Sequence, residues 1–192
     1  MASHFHGAPR IARLRTANVA DETAIDALMK ASARSLFPAF YGERNTPSAV
    51  RYIAIVDRTL LEDGTYFVLE PEDQPGEIVA CGGWSRRDKL FTGAGESSGG
   101  VRRLEPTTEP ARVRAMFVRE DWTRLGLGKR ILEACEGAAR EEGFLKLALM
   151  ATLPGVPLYS AYGFRELERC ELRFPDGVVV ETVRMEKEIA AA

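Results

Sequence analysis

The sequence FVREDWTRLGLGK at residues 117–129 carries the strongest pattern in the chain. It follows a run of alternating apolar and charged side chains, and a helical stripe begins after Gly128. Glycines at such a junction let backbone N–H groups point inward, and the first N–H groups of a helix have no intrahelical partner. With the helix dipole and with Arg124 and Lys129, these groups suit an anion. The segment predicts a phosphate-binding turn, with a tight turn that binds nothing as the simpler alternative.

Two other phosphate-binding motifs do not match this turn. A nucleotide P-loop needs Ser or Thr after its lysine, whereas Lys129 is followed by Arg130. A dinucleotide-binding turn needs a third glycine with a downstream acidic residue, which this segment lacks. Neither class of nucleotide site is therefore expected.

The patterns on both sides of the turn predict a mixed arrangement of strands and helices. Upstream, Thr46 and Pro47 match the N-cap and first turn of a helix that reaches about Leu61. The Gly- and Ser-rich stretch at residues 92–100 predicts a flexible loop between two strands. Strands are predicted at residues 11–15, 65–70, 77–84, 112–118, 145–150, 165–174 and 178–187, and helices at 20–36, 46–61, 128–143 and 156–162.

Composition narrows the class of protein. A chain of 192 residues predicts one domain, at residues 10–189, behind a flexible N-terminus at residues 1–9. The net charge of −2 and the interleaved acids and bases favour neither a nucleic-acid nor a membrane partner. No signal peptide or spanning segment is recognised, so we expect a cytoplasmic protein.

Histidines and cysteines give no metal-binding pattern. The two histidines, His4 and His6, lie in the N-terminal segment, and the three cysteines are widely spaced. We predict no metal site, and we expect Cys81 and Cys135 to be reduced, buried thiols.

The sequence LPGVPLYSAYGF at residues 153–164 supplies a second pattern, in which Tyr159 stands four residues before the pair Gly163-Phe164. With the turn at residues 117–129, it resembles the GNAT superfamily of N-acyltransferases, most strongly across residues 112–168. The resemblance implies an α/β (α+β) fold with a mixed, mostly antiparallel central sheet of six to seven strands and about four flanking helices. It also implies a splay between the two central strands.

The resemblance further implies that acetyl-CoA, or another acyl-CoA, is the co-substrate. Its pyrophosphate would bind the backbone around residues 124–129, and its pantetheine arm would pair with Phe117 and Val118. The Val118 N–H would be the oxyanion donor and Tyr159 the general acid, although a packed core tyrosine is the alternative for Tyr159. The implied cofactor-binding residues are Phe117, Val118, Thr123, Arg124, Leu125, Gly126, Leu127, Gly128, Lys129, Thr152 and Tyr159.

The general base is the part of the site that the resemblance leaves open. Some family members carry a glutamate at the start of the strand before the turn, where this chain has Ala111-Arg112. Glu109 and Glu105 lie just upstream, and Glu109 is a candidate base, with a surface carboxylate as the alternative. Thr123 and Thr152 are shorter than the residues that many relatives carry, which weakens individual contacts.

The expected reaction is transfer of an acetyl group from acyl-CoA to a primary amine by direct attack in a ternary complex. The acceptor is expected to be a small molecule rather than a protein, and a homodimer stays open. One alternative is a non-catalytic acyl-CoA-binding regulatory module. Another is general phosphate binding without CoA.

Overall fold

The structure, a computed structural model, describes residues 10–88 and 102–190. Within these residues, seven strands form one sheet and five α-helices cover it. The strands are β1 (Ala12–Thr16), β2 (Tyr66–Pro71), β3 (Ala80–Ser85), β4 (Ala111–Val118), β5 (Lys146–Thr152), β6 (Arg165–Arg173) and β7 (Val179–Glu188). The helices are α1 (Glu22–Leu36), α2 (Pro38–Ile53), α3 (Arg58–Glu62), α4 (Leu127–Glu141) and α5 (Val156–Tyr162). Short 3-10 turns lie at Val19–Asp21, Glu120–Trp122 and Leu153–Gly155.

The strand order in the sheet is β1-β2-β3-β4-β5-β7-β6. Every neighbouring pair is antiparallel except β4 and β5, which run parallel at the centre of the sheet. The parallel pair needs a crossover connection, and α4 provides it. The predicted mixed, mostly antiparallel sheet of six to seven strands is confirmed.

Two apolar cores lie on opposite faces of this sheet. The first lies under α4 and α5, where the predicted helical stripe is buried through Ile131, Leu132 and Cys135. The second lies under α1, α2 and α3 and includes Cys81. Both thiols are fully buried, as expected for small apolar side chains.

The predicted helix at residues 46–61 is wrong in its bounds. The chain instead forms α2, which bends at Gly42 (φ 76°), and then the separate helix α3. Thr46 is not an N-cap, because it lies inside α2 and its hydroxyl donates to the Gly42 carbonyl at 2.9 Å. The N-cap of α3 is Asp57, whose carboxylate accepts the Thr59 N–H at 3.1 Å. Gly42 adopts a left-handed φ at little cost, so the chain bends there and the helix continues through Pro47.

Some predictions fall on residues outside the described part of the chain. They are the flexible loop at residues 92–100, the flexible N-terminus at residues 1–9, and the two histidines within it. Among residues 10–88 and 102–190, no three His, Cys, Asp or Glu side chains come together as a metal site. No described helix is both long enough and apolar enough to cross a membrane.

Candidate active site

A β-bulge interrupts β4 near its middle. The step from Arg114 to Phe117 on β4 lies opposite the shorter step from Gly83 to Cys81 on β3, so β4 holds one extra residue. Ala115 within this step has φ 52°, which is uncommon for a residue other than glycine. A bulge bends the strand that carries it and increases the local twist. The second half of β4 is therefore redirected.

Beyond the bulge, β4 and β5 are separated. They pair only at Ala111 with Leu147 and at Arg112 with Ala148, and both strands continue for several residues past these pairs. The predicted splay between the central strands is therefore present. A cavity of ≈ 60 Å³ lies in the gap. Its lining includes residues 113–117 of β4, Leu149, Met150 and Thr152 of β5, Ile53 of α2, and Tyr159 of α5.

The backbone of Val118 faces this gap. The Arg119 N–H donates to the carbonyl of Val79, the residue before β3, at 2.8 Å, and Val118 pairs with Ala80 of β3. In an antiparallel ladder the backbone groups of successive residues point to alternate sides, so the N–H and C=O of Val118 point away from β3 and towards β5. The Val118 carbonyl accepts a hydrogen bond from the Ser32 hydroxyl at 2.8 Å. By the same alternation, the backbone groups of Phe117 point towards β3.

The turn between β4 and α4 presents a row of backbone N–H groups. Arg124 (φ 65°) and Gly126 (φ 79°) both adopt left-handed conformations, and Gly126 is the N-cap of α4. The described residues supply no hydrogen-bond acceptor for the N–H groups of residues 124–129. The first helical bond into this segment is donated by Arg130 to the Gly126 carbonyl at 3.1 Å. These N–H groups, at the positive end of a 15-residue helix, provide a site for an anion.

The side chains of the turn differ in their burial and in the contacts that they make. Arg124 and Leu125 are exposed, whereas Leu127 is buried in the core. Lys129 is exposed and lies 3.5 Å from Glu133 one turn along α4. The Thr123 hydroxyl donates to the Glu120 carbonyl at 2.7 Å, which stabilises the 3-10 turn. The turn therefore combines a row of backbone N–H groups with two exposed cations, Arg124 and Lys129.

Tyr159 of α5 is one of the residues that line the cavity. It is buried, and its ring packs edge-on against Phe164 with the ring centroids 5.9 Å apart. Burial raises the pKa of its phenol well above the ordinary tyrosine value. Its hydroxyl makes no hydrogen bond with any described residue, although its side chain lines the cavity. The phenol is thus held protonated next to the gap between β4 and β5.

Tyr41 of α2 forms hydrogen bonds with β7 and with the residue that follows β5. Its hydroxyl accepts the Leu153 N–H at 2.9 Å and donates to the Glu181 carbonyl at 3.1 Å. Leu153 follows β5 directly and begins the 3-10 turn that leads into α5. Tyr41 therefore connects α2 to β7 and to the segment that carries Tyr159.

A sequence model of the acetyltransferase (GNAT) family matches residues 29–164, which is more than half of the chain. The protein belongs to the GNAT acetyltransferase family. The predicted relationship is confirmed, and with it the general activity of acyl transfer. No curated protein matches the chain.

Solved GNAT structures share the fold of this chain at low sequence identity. A GCN5-related N-acetyltransferase from Rhodopseudomonas palustris is 16% identical, with a TM-score of 0.67 over 95% of this chain and 99% of that one. The PaiA N-acetyltransferase from Thermoplasma acidophilum, solved in complex with coenzyme A, is 13% identical, with a TM-score of 0.63 over 93% and 99%. The ribosomal-protein-S18-alanine N-acetyltransferase from Escherichia coli is 18% identical, with a TM-score of 0.56 over 95% and 96%.

Glu109, the candidate base of this GNAT domain, is already engaged in hydrogen bonds within the protein. The Glu109 carboxylate accepts two hydrogen bonds from Arg102, at 2.8 and 2.7 Å, and one from the Glu105 N–H at 2.8 Å. The bonds from Arg102 lower the pKa of Glu109 to about 2. Such a carboxylate is a weak proton acceptor at neutral pH. Glu109 therefore lies near the start of β4, but in an ion pair.

Two arginines occupy the face of β4 that lies towards α2 and α3. Arg114 is buried in an ion pair with Asp57 of the α3 N-cap and lines the cavity. The Arg112 side chain makes no hydrogen bond with the described residues, and its Nε is buried. Burial lowers the pKa of both guanidinium groups. Asp57 balances the charge of Arg114, whereas Arg112 has acidic residues near it, Glu109 among them, without a hydrogen bond to any of them.

Three of these features were not predicted from the sequence: the buried pair of Asp57 and Arg114, the hydrogen bond of Ser32, and the bridging hydroxyl of Tyr41. For Ser32 a signal existed, because its polar side chain continues the buried stripe of Ile25, Leu28 and Met29. The other two depend on contacts between distant segments.

Proposed function

We propose that the protein transfers an acetyl group from acetyl-CoA to a primary amine of a small molecule, by direct attack within a ternary complex. The main support is the gap between β4 and β5, because Tyr159 lines the cavity within it and β4 leads directly into the turn whose N–H groups at residues 124–129 have no acceptor among the described residues. A cofactor with a pyrophosphate at one end and a thioester at the other suits this arrangement. The family relationship supports acyl transfer in general.

The cofactor would bind through its pyrophosphate and through the amides of its pantetheine arm. In this proposal the pyrophosphate accepts hydrogen bonds from the N–H groups of residues 124–129, and Arg124 and Lys129 add positive charge. The pantetheine amides pair with the open edge of β4 at Val118, where the backbone groups point towards the gap. For Phe117 the contact would be made by the side chain, since its backbone groups point towards β3. Thr152 and Tyr159 would border the thioester.

The chemistry would proceed through one tetrahedral intermediate. The amine nitrogen forms a bond to the acetyl carbon, the carbonyl oxygen becomes negative, and the Val118 N–H donates to it. One such donor contributes about 3 kcal/mol to transition-state stabilisation. The C–S bond then breaks, the CoA thiolate takes a proton from the Tyr159 hydroxyl, and the amine loses a proton. Tyr159 regains its proton from solvent or from the acceptor.

The acceptor amine needs to be neutral before it attacks. A lysine-like amine with a pKa of about 10.4 is neutral in roughly one molecule in 2,500 at pH 7. Glu109, engaged with Arg102, is the weaker route to proton removal. We therefore propose that the amine loses its proton to water.

A second function keeps the cofactor site without turnover, as a regulatory module that binds acyl-CoA. The observation in its favour is the arginine at position 112, where a carboxylate would assist proton removal. The observation against it is the protonated Tyr159 beside the gap. Both functions require the same cofactor, so turnover distinguishes them.

The test is isothermal titration with acetyl-CoA, with ATP and NAD as control ligands, followed by an amine screen for CoA release. We expect acetyl-CoA to bind and both controls to bind far more weakly. Equal binding of all three ligands would support a general phosphate site, and no binding of acetyl-CoA would reject the proposal. Binding without CoA release from any amine would favour the regulatory module.

A further inference from the structure

Ser32 is a polar side chain at a core position of α1. It continues the buried stripe of that helix and is only 2% exposed. Its hydroxyl donates to the Val118 carbonyl at 2.8 Å. A buried hydroxyl needs a partner, and here the partner belongs to the open edge of β4. Ser32 of α1 therefore supplies a hydrogen-bond donor to the backbone of β4.

The Val118 carbonyl has lost the partner that a closed sheet would provide. It points towards β5, but β5 pairs with β4 only at Ala111 and Arg112. A carbonyl at such an edge is costly if it stays without a donor in a buried place. Ser32 supplies that donor from α1.

We propose that, in the free protein, the Ser32 hydroxyl donates the hydrogen bond to the Val118 carbonyl that a pantetheine amide N–H donates in the acyl-CoA complex. In the free protein it holds the Val118 carbonyl, and when acyl-CoA fills the gap, an amide N–H of the pantetheine arm takes its place. One hydrogen bond breaks and one forms, and no covalent step is involved. The inference rests on the proposed function, because it needs an acyl-CoA in the gap.

This exchange has a consequence for affinity. An interaction that exists only in the free protein opposes binding, so Ser32 weakens acyl-CoA binding while it stabilises the free domain. Removal of the hydroxyl should therefore tighten binding. A net hydrogen bond of ordinary strength corresponds to a change of about 2- to 10-fold in the dissociation constant.

The experiment compares Ser32→Ala with Ser35→Ala in isothermal titrations. Ser35 lies one turn further along α1, is half-buried, and its hydroxyl makes no hydrogen bond with the described residues. Each protein is titrated with acetyl-CoA and with adenosine 3′-phosphate 5′-diphosphate, which lacks the pantetheine arm. We expect Ser32→Ala to bind acetyl-CoA about 2- to 10-fold more tightly and the nucleotide unchanged. Ser35→Ala should match the wild type with both ligands.

Other outcomes overturn the inference. Weaker binding of acetyl-CoA by Ser32→Ala would mean that the serine contacts the cofactor directly. Unchanged binding would mean that Ser32 keeps its bond in the complex, and an equal gain with both ligands would mean a general effect on the fold. If Ser32→Ala does not fold, Ser32→Cys provides the test, because a weak thiol donor should give a smaller gain in the same direction. A wild-type protein that binds no acetyl-CoA would reject the proposed function itself, whereas these outcomes reject only the exchange.

Discussion

Gly128 on α4 lies directly against Leu158 on α5, since a Cβ at Gly128 would stand 2.7 Å from Leu158 Cδ2. The second glycine of the turn therefore permits close packing of α4, which begins at the turn, on α5, which carries Tyr159. By contrast, a Cβ at Gly126 would meet nothing within 4 Å. The two glycines of one motif thus serve different purposes, one for packing and one for a left-handed backbone.

Gly128→Ala should destabilise the protein by about 1 kcal/mol, because the added methyl group displaces the Leu158 side chain from its packed position. Chemical denaturation measures the change. Gly137→Ala is the matched control within α4, where a Cβ has no neighbour within 4 Å, and it should stabilise the protein by about 0.8–1 kcal/mol. The double variant Gly128→Ala with Leu158→Ala should lose less than the sum of its single changes. Simple additivity would contradict the contact.

Tyr159→Phe should lower the rate of acetyl transfer at least about tenfold, because general acid catalysis commonly contributes a hundredfold or more. The affinity for acetyl-CoA should stay close to that of the wild type, since the ring and its packing on Phe164 remain. Steady-state kinetics and titration separate the two effects. Tyr162→Phe, in the same helix but outside the cavity lining, is the control and should keep wild-type turnover. Equal turnover in both variants would remove Tyr159 from the mechanism.

Tyr41→Phe should lower the free energy of unfolding by about 1–3 kcal/mol, because it leaves the Leu153 N–H without its acceptor. The start of α5 should loosen as well, which hydrogen exchange at residues 153–162 would detect. Tyr52→Phe is the comparison. The rings of Tyr52 and Phe174 stack with their centroids 5.2 Å apart, and the Tyr52 hydroxyl has no hydrogen bond with the described residues. A similar loss in both variants would count against the bridge.

Three buried tyrosines should make the fold sensitive to alkali. Burial raises the pKa of Tyr41 to about 12 and raises those of Tyr66 and Tyr159 further. In the unfolded chain these phenols ionise near pH 10, so their contribution to stability is complete below about pH 10 and is lost as the pH rises towards the folded values. Absorbance at 295 nm should report their ionisation only as the protein unfolds. Ionisation of all tyrosines near pH 10 in the folded state would contradict their burial.

Arg114→Met should destabilise the fold by about 3–5 kcal/mol, because it leaves the Asp57 carboxylate buried without its cation. Arg169→Met is the exposed comparison. Arg169 contacts Glu181 at 2.6 Å with its side chain 61% exposed, and its loss should cost about 0–1 kcal/mol. Denaturation of both variants at neutral pH measures the difference. Losses of equal size would mean that the inner pair is better hydrated than its burial implies.

The parts of the fold that depend on local signals were predictable from the sequence. The start of α4 lies one residue from the prediction, and α5 matches it at both ends, because glycines mark their ends. The helix at residues 46–61 was mispredicted because Thr46 and Pro47 form a plausible first turn. The decisive residue was Gly42, whose bend lets α2 begin earlier.

The site itself was only partly predictable, for the same reason. Its turn and Tyr159 lie in short contiguous motifs, whereas Leu153 is 112 residues from Tyr41, to which it donates a hydrogen bond. The bulge at Ala115 has no local signal either, because alanine does not favour a positive φ. It arises from the pairing of β4 with β3, which a single strand pattern does not reveal.

The two pairs that join β4 to β5 also determine how the domain holds together. The sheet consists of a four-stranded half and a three-stranded half that meet only at one end. A ligand whose amides lie along Val118 would add a strand-like row of hydrogen bonds across the open end. Binding would then hold the two halves of the sheet together at both ends, and the bound ligand would contribute to the rigidity of the domain.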